Sequence, residues 1–181
     1  MGNPREPEPV KLFMSLMTAE EGSFQQGVTD LRSAFGEVDF ISEKYPFNLT
    51  DYYTREMGPA LFRHFVTFEP LISPSSLPEI KQVTNRIEER HAVSGGNRRI
   101  NIDPGYLSLE HVILATTKGY THRPYLREGI YADLTLIFRN KSYQALEWTY
   151  PDYAKQEIIS LFNQCRIRYR ETLKRRQDRS C

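Results

Sequence analysis

The stretch of residues 98–138 constrains the fold of this chain most, because short apolar runs with strand character alternate there with charged and polar groups. Within it, Arg99, Asn101 and Asp103 alternate with two isoleucines. Successive side chains of a strand point to opposite faces, so an extended backbone puts the three polar groups on one face. The pattern predicts a half-buried strand with a polar side.

This strand is predicted to end at Asp103-Pro104-Gly105. Proline presets φ for a turn, glycine accepts a positive φ, and aspartate can bond the backbone beyond it. We therefore expect a turn that points the Asp103 carboxylate at the rim of the sheet.

More polar side chains follow in the second half of the chain. Lys118, His122, Arg123 and Tyr125 come after an apolar run, and Asp133 lies inside an alternating strand. If these strands pair as an antiparallel meander, their polar faces converge with that of the first strand. The sequence thus predicts one polar site shared by several strands.

The complete pattern predicts an α+β fold with a single domain. Strands are expected at 10–17, 38–42, 61–69 and from 99, with amphipathic helices between the first two and before the last. The order β-α-β-β-α-β is typical of a ferredoxin-like sheet. Further antiparallel strands at 108–117, at Tyr125, at 130–138 and at 143–148 are expected to extend the sheet or fold over it. A long C-terminal helix, capped by Asp152, is expected to pack on the sheet.

Length and composition bound the remaining expectations. The chain has 181 residues, a length that suits one domain, and its net charge is +1. We expect the domain to span 10–176, with a flexible arm at 1–9 and a flexible basic tail at 177–181. No apolar run approaches the roughly 20 residues of a membrane-spanning helix, and the first residues lack a signal-peptide pattern. We expect a cytoplasmic protein without a membrane partner. The oligomeric state stays open.

Several motifs carry a resemblance to a known family. They are NIDPGYL at 101–107, ATTK at 115–118, HRPYL at 122–126, GIYADLTL at 129–136 and WTYPDY at 148–153, with PFNLTDYYTREMG at 46–58 and Thr84-Asn85 in a helix. With these, the chain resembles a bacterial and archaeal family of uncharacterised proteins, the domain of unknown function 4416, over nearly its full length. The resemblance implies a small standalone protein and no particular activity. Asp133 stands where the family pattern leads us to expect glutamate.

The ligand-binding candidates are Arg99, Asn101, Lys118, Arg123 and Tyr125. A lysine offers a point charge and an arginine a forked donor, so both suit a phosphate or a carboxylate. The alternative interpretation is a solvated, positively charged loop, since glycine and proline occur in the same segment.

The catalytic candidates are His122, Asp103 and Asp133. Imidazole can move a proton near neutral pH, and a carboxylate can act as a base or hold Mg²⁺ through water. In the alternative interpretation, Asp103 only serves a turn and Asp133 only pairs with an arginine. The two cysteines have no neighbours at metal-ligand spacing, so no metal ligands are assigned, while Mg²⁺ stays open as a cofactor.

We expect the polar face to bind a small anionic ligand, a nucleotide or a phosphorylated metabolite. The residues leave open whether acid–base chemistry follows binding. Neither a G-x-x-x-x-G-K-[ST] loop nor an Asn-Lys-x-Asp motif is present. Two alternatives are an RNA-binding module, because a ferredoxin-like sheet with tyrosines and arginines resembles such a platform although its K/R-G-F/Y-G/A-F-V-x-F/Y signature is missing, and an adaptor that binds only a protein partner. The aromatic clusters at 52–56 and 148–153 could stack a base, but tyrosines in loops more often clamp one element on another.

Overall fold

One antiparallel sheet organises the computed structural model, which describes residues 2–48, 54–58, 60–93 and 97–180. The strands are β1 (Val10–Thr18), β2 (Val38–Ile41), β3 (Tyr45–Pro46), β4 (Phe62–Ile72), β5 (Ile100–Leu107), β6 (His111–Thr116), β7 (Tyr125–Arg127), β8 (Ile130–Arg139) and β9 (Ser142–Ala145). The helices are α1 (Glu21–Phe35), α2 (Thr54–Met57), α3 (Leu77–Arg90) and α4 (Gln156–Ser180).

The strand order is β2-β4-β1-β5-β6-β8-β7, with β3 added beside β4 and β9 beside β8. Its first part is built by β1-α1-β2-β4-α3-β5 in the spatial order β2-β4-β1-β5, which is the arrangement of a split βαβ sheet. Strands β6 to β9 then continue the sheet by antiparallel pairing. The predicted α+β fold with an extended sheet is confirmed.

Helices cover both faces of the sheet. Alternate residues of β1 serve the two sides, because a strand points successive side chains in opposite directions. Leu12 and Met14 pack with α1 and α3, whereas Phe13 packs on the other side, where its ring lies 5.0 Å from that of Phe162 in α4. The long C-terminal helix therefore packs on the sheet as predicted.

Helix α4 continues to Ser180, so residues 177–180 extend it. Whether this tail and the arm at 1–9 are flexible stays a prediction. In the described part of the chain, none of the helices combines the length and apolar character needed to cross a membrane.

Two local predictions are wrong. Asp103-Pro104-Gly105 is not a turn, since β5 runs through all three residues to Leu107. A side chain at position 105 would meet the Phe13 ring at 2.6 Å, so the glycine serves close packing inside the sheet. Asp152 does not cap α4, which begins at Gln156; its carboxylate forms an ion pair with Arg63 of β4 instead.

Candidate functional site

Strands β5 and β6 pair over only three positions and then separate. Their register runs from Leu107 opposite Val112 to Gly105 opposite Leu114. The next residue of β5 is Pro104, which has no N–H to donate to the neighbouring strand. The pairing stops there, and a gap opens between the first half of β5 and the end of β6.

Side chains of α3 replace β6 along the open half of β5. The N–H of Ile102 donates to Glu88 Oε1 at 2.6 Å, and its carbonyl accepts from Lys81 Nζ at 3.1 Å. Both backbone groups of Ile102 are thus satisfied without a strand partner, as buried backbone groups require. Side chains of α3 thus form an ordered wall on one side of the gap.

A chain of polar contacts continues from this wall. Lys81 Nζ lies 3.4 Å from Asp103 Oδ1, and Asp103 Oδ2 accepts from Asn101 Nδ2 at 2.7 Å. Asn101 Oδ1 in turn accepts from Arg98 at 2.9 Å, and the Arg98 Nε donates to Glu56 Oε1 at 2.7 Å. Each group has a defined donor or acceptor role, so the first residues of β5 hold their polar side chains in fixed positions.

Two carboxyl groups near this wall differ in their proton affinity. Hydrogen bonds from Arg98 lower the pKa of Glu56 below its ordinary value. Burial raises the pKa of Glu88, although Lys81 and the Ile102 N–H act in the opposite direction. Glu88 is therefore held closer to protonation than a carboxyl in water.

The opposite wall belongs to β8 and the β6–β7 connection. Asp133 is buried, and its Oδ2 accepts from Arg123 Nε at 2.7 Å. The same arginine donates to the Tyr150 hydroxyl at 2.6 Å and to the Lys118 carbonyl at 3.2 Å. His122 Nε2 lies 3.7 Å from the Asp133 carboxylate, and its ring stacks on Trp148 at 4.9 Å. Arg123 thus ties three segments together.

These walls enclose a cavity of about 520 Å³, within the size range of small-molecule sites. The third side is formed by Arg63, paired with Asp152, and by Tyr153 in the segment before α4. The charged residues on the cavity wall are four cations and four anions: Arg63, Lys81, Arg98, Lys118, Glu88, Asp103, Asp133 and Asp152.

The structure brings most of the predicted site together. Asn101, Asp103, Lys118 and Asp133 line the cavity, and Arg123 lies against Asp133. These residues come from β5, β8 and the β6–β7 connection, which is the convergence that the sequence predicts.

Three predicted residues lie elsewhere. Arg99 precedes β5, is exposed and borders a separate open depression beside His91. Tyr125 is 60% exposed and packs on Tyr131. His122 lies against Asp133 and Trp148, and it is not among the described residues that line the cavity.

Sequence reasoning missed the α3 wall. Lys81, Asn85 and Glu88 line the cavity and are spaced four and three residues apart, so they share one face of the helix. This polar stripe beside the apolar stripe of α3 is the signal that would have identified them. Arg63 was missed because its contact with Asp152 joins residues far apart in the chain, and the segment at 148–153 was considered only as an aromatic cluster that could stack a base.

Two further expectations concern a metal site and RNA binding. No group of three or more His, Cys, Asp or Glu side chains within the described ranges is arranged to hold a metal ion, and a role for Mg²⁺ stays a prediction. The RNA-binding alternative needs exposed aromatic rings on the sheet, but Phe13 and Phe65 are buried under Phe162. Tyr52 and Tyr53 of the first aromatic cluster lie outside the described residues.

The fold and the cavity define an α+β protein with a split βαβ sheet and a polar pocket between separated strands. The family model described as Domain of unknown function (DUF4416) matches residues 8–169. The chain belongs to this family. Comparisons with curated proteins and with solved structures gave no match.

Proposed function

We propose that the cavity between β5 and β6 binds a small anionic ligand, a nucleotide or a phosphorylated metabolite. The observation that supports this most is the placement of two lysines on different walls of one cavity, Lys81 on α3 and Lys118 after β6. An anion between them would receive ammonium donors from both sides.

The charges of the cavity agree with this proposal because its carboxylates already have cationic partners. Asp133 is held by Arg123 and Asp152 by Arg63, while Asp103 lies beside Lys81 and Glu88 beside Arg98. Pairing of each acid reduces the repulsion that an incoming anion would meet. Lys118 is exposed, so the ligand reaches its ammonium group from solvent.

Asp103 is the acid that a ligand reaches best. Its side chain is 34% exposed, against 3% for Asp133 and 15% for Asp152. If proton transfer follows binding, Asp103 is therefore the group that we expect to exchange the proton with the ligand. The Asp133 carboxylate would then hold Arg123 in place.

The test is a thermal-shift and calorimetric screen of the full chain against inorganic phosphate, ribose phosphate and nucleoside monophosphates, each with and without Mg²⁺. A ligand that binds the folded state raises its melting temperature by mass action. Lys118→Ala is expected to weaken binding by about tenfold, equivalent to about 1.4 kcal/mol.

Lys174→Ala is the matched control, since it removes an exposed lysine from α4, on an element that does not line the cavity. It should leave binding unchanged. A folded protein that no anion stabilises would contradict the proposal and favour the adaptor alternative.

A further inference from the structure

The edge of β6 borders the cavity with its backbone. Five consecutive residues line the cavity wall, namely 114–116 at the end of β6 and 117–118 directly after it. Side chains alternate between the two faces of a strand, so a continuous row of lining residues means that the main chain itself faces the space. This edge offers hydrogen-bonding groups that no side-chain substitution in β6 would remove.

The carbonyl of Ala115 is directed into the gap. A Cβ at Gly105 would lie 2.4 Å from the Ile113 oxygen, so the Ile113 carbonyl points towards β5. Ala115, two residues further, has its backbone on the same side by the alternation of the strand. On the other side, Ala132 of β8 pairs opposite Ala115 but donates its N–H to the Pro124 carbonyl at 2.9 Å.

Proline leaves this carbonyl without a strand donor. The register ends at the pair of Gly105 and Leu114, and one further step along both strands would place Pro104 opposite Ala115. Pro104 has no N–H, so it cannot donate to the Ala115 oxygen. A buried carbonyl of this kind is ordinarily paired, with protein, water or a ligand.

A partly exposed aromatic ring lines the same cavity. Tyr150 lines the cavity and is 42% exposed, and its hydroxyl is fixed by the hydrogen bond from Arg123. A partly exposed ring held in one orientation is a surface on which a flat heterocycle can stack. Carbonyl, ring and lysine thus line one cavity.

We infer that the ligand of this cavity is a nucleotide, whose base donates an N–H to the Ala115 carbonyl and stacks on Tyr150 while its phosphate contacts Lys118. The inference rests on the proposed function and narrows it from phosphorylated compounds in general to nucleotides. Ala115 and Lys118 are three residues apart, at most about 10 Å along an extended chain, a separation that a nucleoside monophosphate can bridge from base to phosphate.

The experiment compares the calorimetric affinities of the full chain for the nucleoside monophosphates of the four RNA bases and for ribose phosphate, which lacks the base. At least one nucleotide is expected to bind about tenfold or more tightly than ribose phosphate, in the range that one stacked base contributes. Methylation of the N–H edge of that base should remove most of the advantage.

Protein variants supply the second arm. Tyr150→Ala should lower the ratio of the affinity for the nucleotide to the affinity for ribose phosphate. Tyr150→Phe keeps the ring and should leave this ratio close to that of the wild type. If ribose phosphate binds as tightly as every nucleotide, the inference is overturned while the proposed function stands. If neither ribose phosphate, the nucleotides nor inorganic phosphate binds, both are overturned. The ligand series on the wild-type chain tests the inference even if Tyr150→Ala fails to fold.

Discussion

The two halves of β5 satisfy their backbone in different ways. Gly105–Leu107 pair with β1 on one side and β6 on the other, and Leu107 belongs to the apolar core. Ile100–Asp103 pair with β1 on one side only, and on the other Ile102 is bonded by Lys81 and Glu88. The closed half forms core, and the open half forms a cavity.

The difference between the two halves follows from one missing donor, the backbone N–H that Pro104 lacks. Pro104 interrupts the hydrogen bonds between two strands that otherwise lie side by side, and polar side chains then have to supply the missing partners. The polar side chains that bond the backbone of β5 also line the space between the separated strands. The features that support the fold here are those available to a ligand.

The largest loss of stability is expected in the core beside the closed half, where Phe13 pairs opposite Gly105. Phe162→Ala removes a ring that contacts Phe13, Phe65 and Tyr153, so it should lower the free energy of unfolding by about 3–5 kcal/mol. Urea denaturation measures this. Ile167→Ala on the same helix, where the side chain is 50% exposed, should change it by less than about 0.5 kcal/mol. A similar loss for both variants would mean that α4 does not cover the core as described.

Gly105→Ala tests the packing at the junction of the two halves. The added Cβ would lie 2.4 Å from the Ile113 oxygen and 2.6 Å from the Phe13 ring, so a loss of about 1–3 kcal/mol is expected. Gly22→Ala is the control, because a Cβ there meets nothing within 4 Å, and it should leave stability unchanged or raise it. Equal stability of the Gly105→Ala protein would show that the strands are not this close.

A smaller effect is expected in the pH dependence of the open half. The pKa of Glu88 is raised in the folded state by burial, so the folded protein binds this proton more tightly than the unfolded chain does. The contribution of Glu88 to stability is complete below the ordinary glutamate pKa and is lost as pH rises through the raised value.

Glu88→Gln removes this titration and keeps an acceptor for the Ile102 N–H. Denaturation of both proteins from pH 4 to 8 should therefore show the stability of the wild type falling, relative to the variant, as pH rises. A relative rise over the same window would mean that the cations Lys81 and Arg98 dominate over burial.

The smallest change in stability is expected for Pro104→Ala, which restores an N–H opposite the Ala115 carbonyl. A new hydrogen bond adds about 0.5–1.5 kcal/mol, and loss of the proline constraint removes about 0.4–1 kcal/mol, so the two nearly cancel. Hydrogen exchange should show a protected new amide at position 104, and ligand affinity should fall as the gap narrows. Rapid exchange of that amide would contradict the proposed orientation of Ala115.

Local patterns of the sequence were sufficient for the framework. The alternation around Asn101 and Asp103 placed both side chains on one face, and the element order indicated the sheet that is found. The predicted turn at Pro104 failed because a proline can also lie in a strand when its missing donor faces a side without a partner. That condition depends on the path of β6 and not on residues near Pro104.

The other walls of the cavity needed tertiary information. Lys81 and Glu88 lie on a helix that was interpreted only through its apolar stripe. Arg63 and Asp152 are almost ninety positions apart, and nothing local in either segment indicates the other. Asp152 looked like a helix cap because short polar residues favour that position, but its carboxylate is taken by the arginine.

Amide chemical shifts in the presence of the nucleoside monophosphates test the central claim most directly, because they report which half of the β5–β6 pair meets the ligand. If the ligand binds in the open half, the amides of residues 101–103 and 116–118 shift with a common dissociation constant, while those of 105–107 and 112–113 stay in place. Absence of any shift, or shifts centred on the basic end of α4, would contradict it.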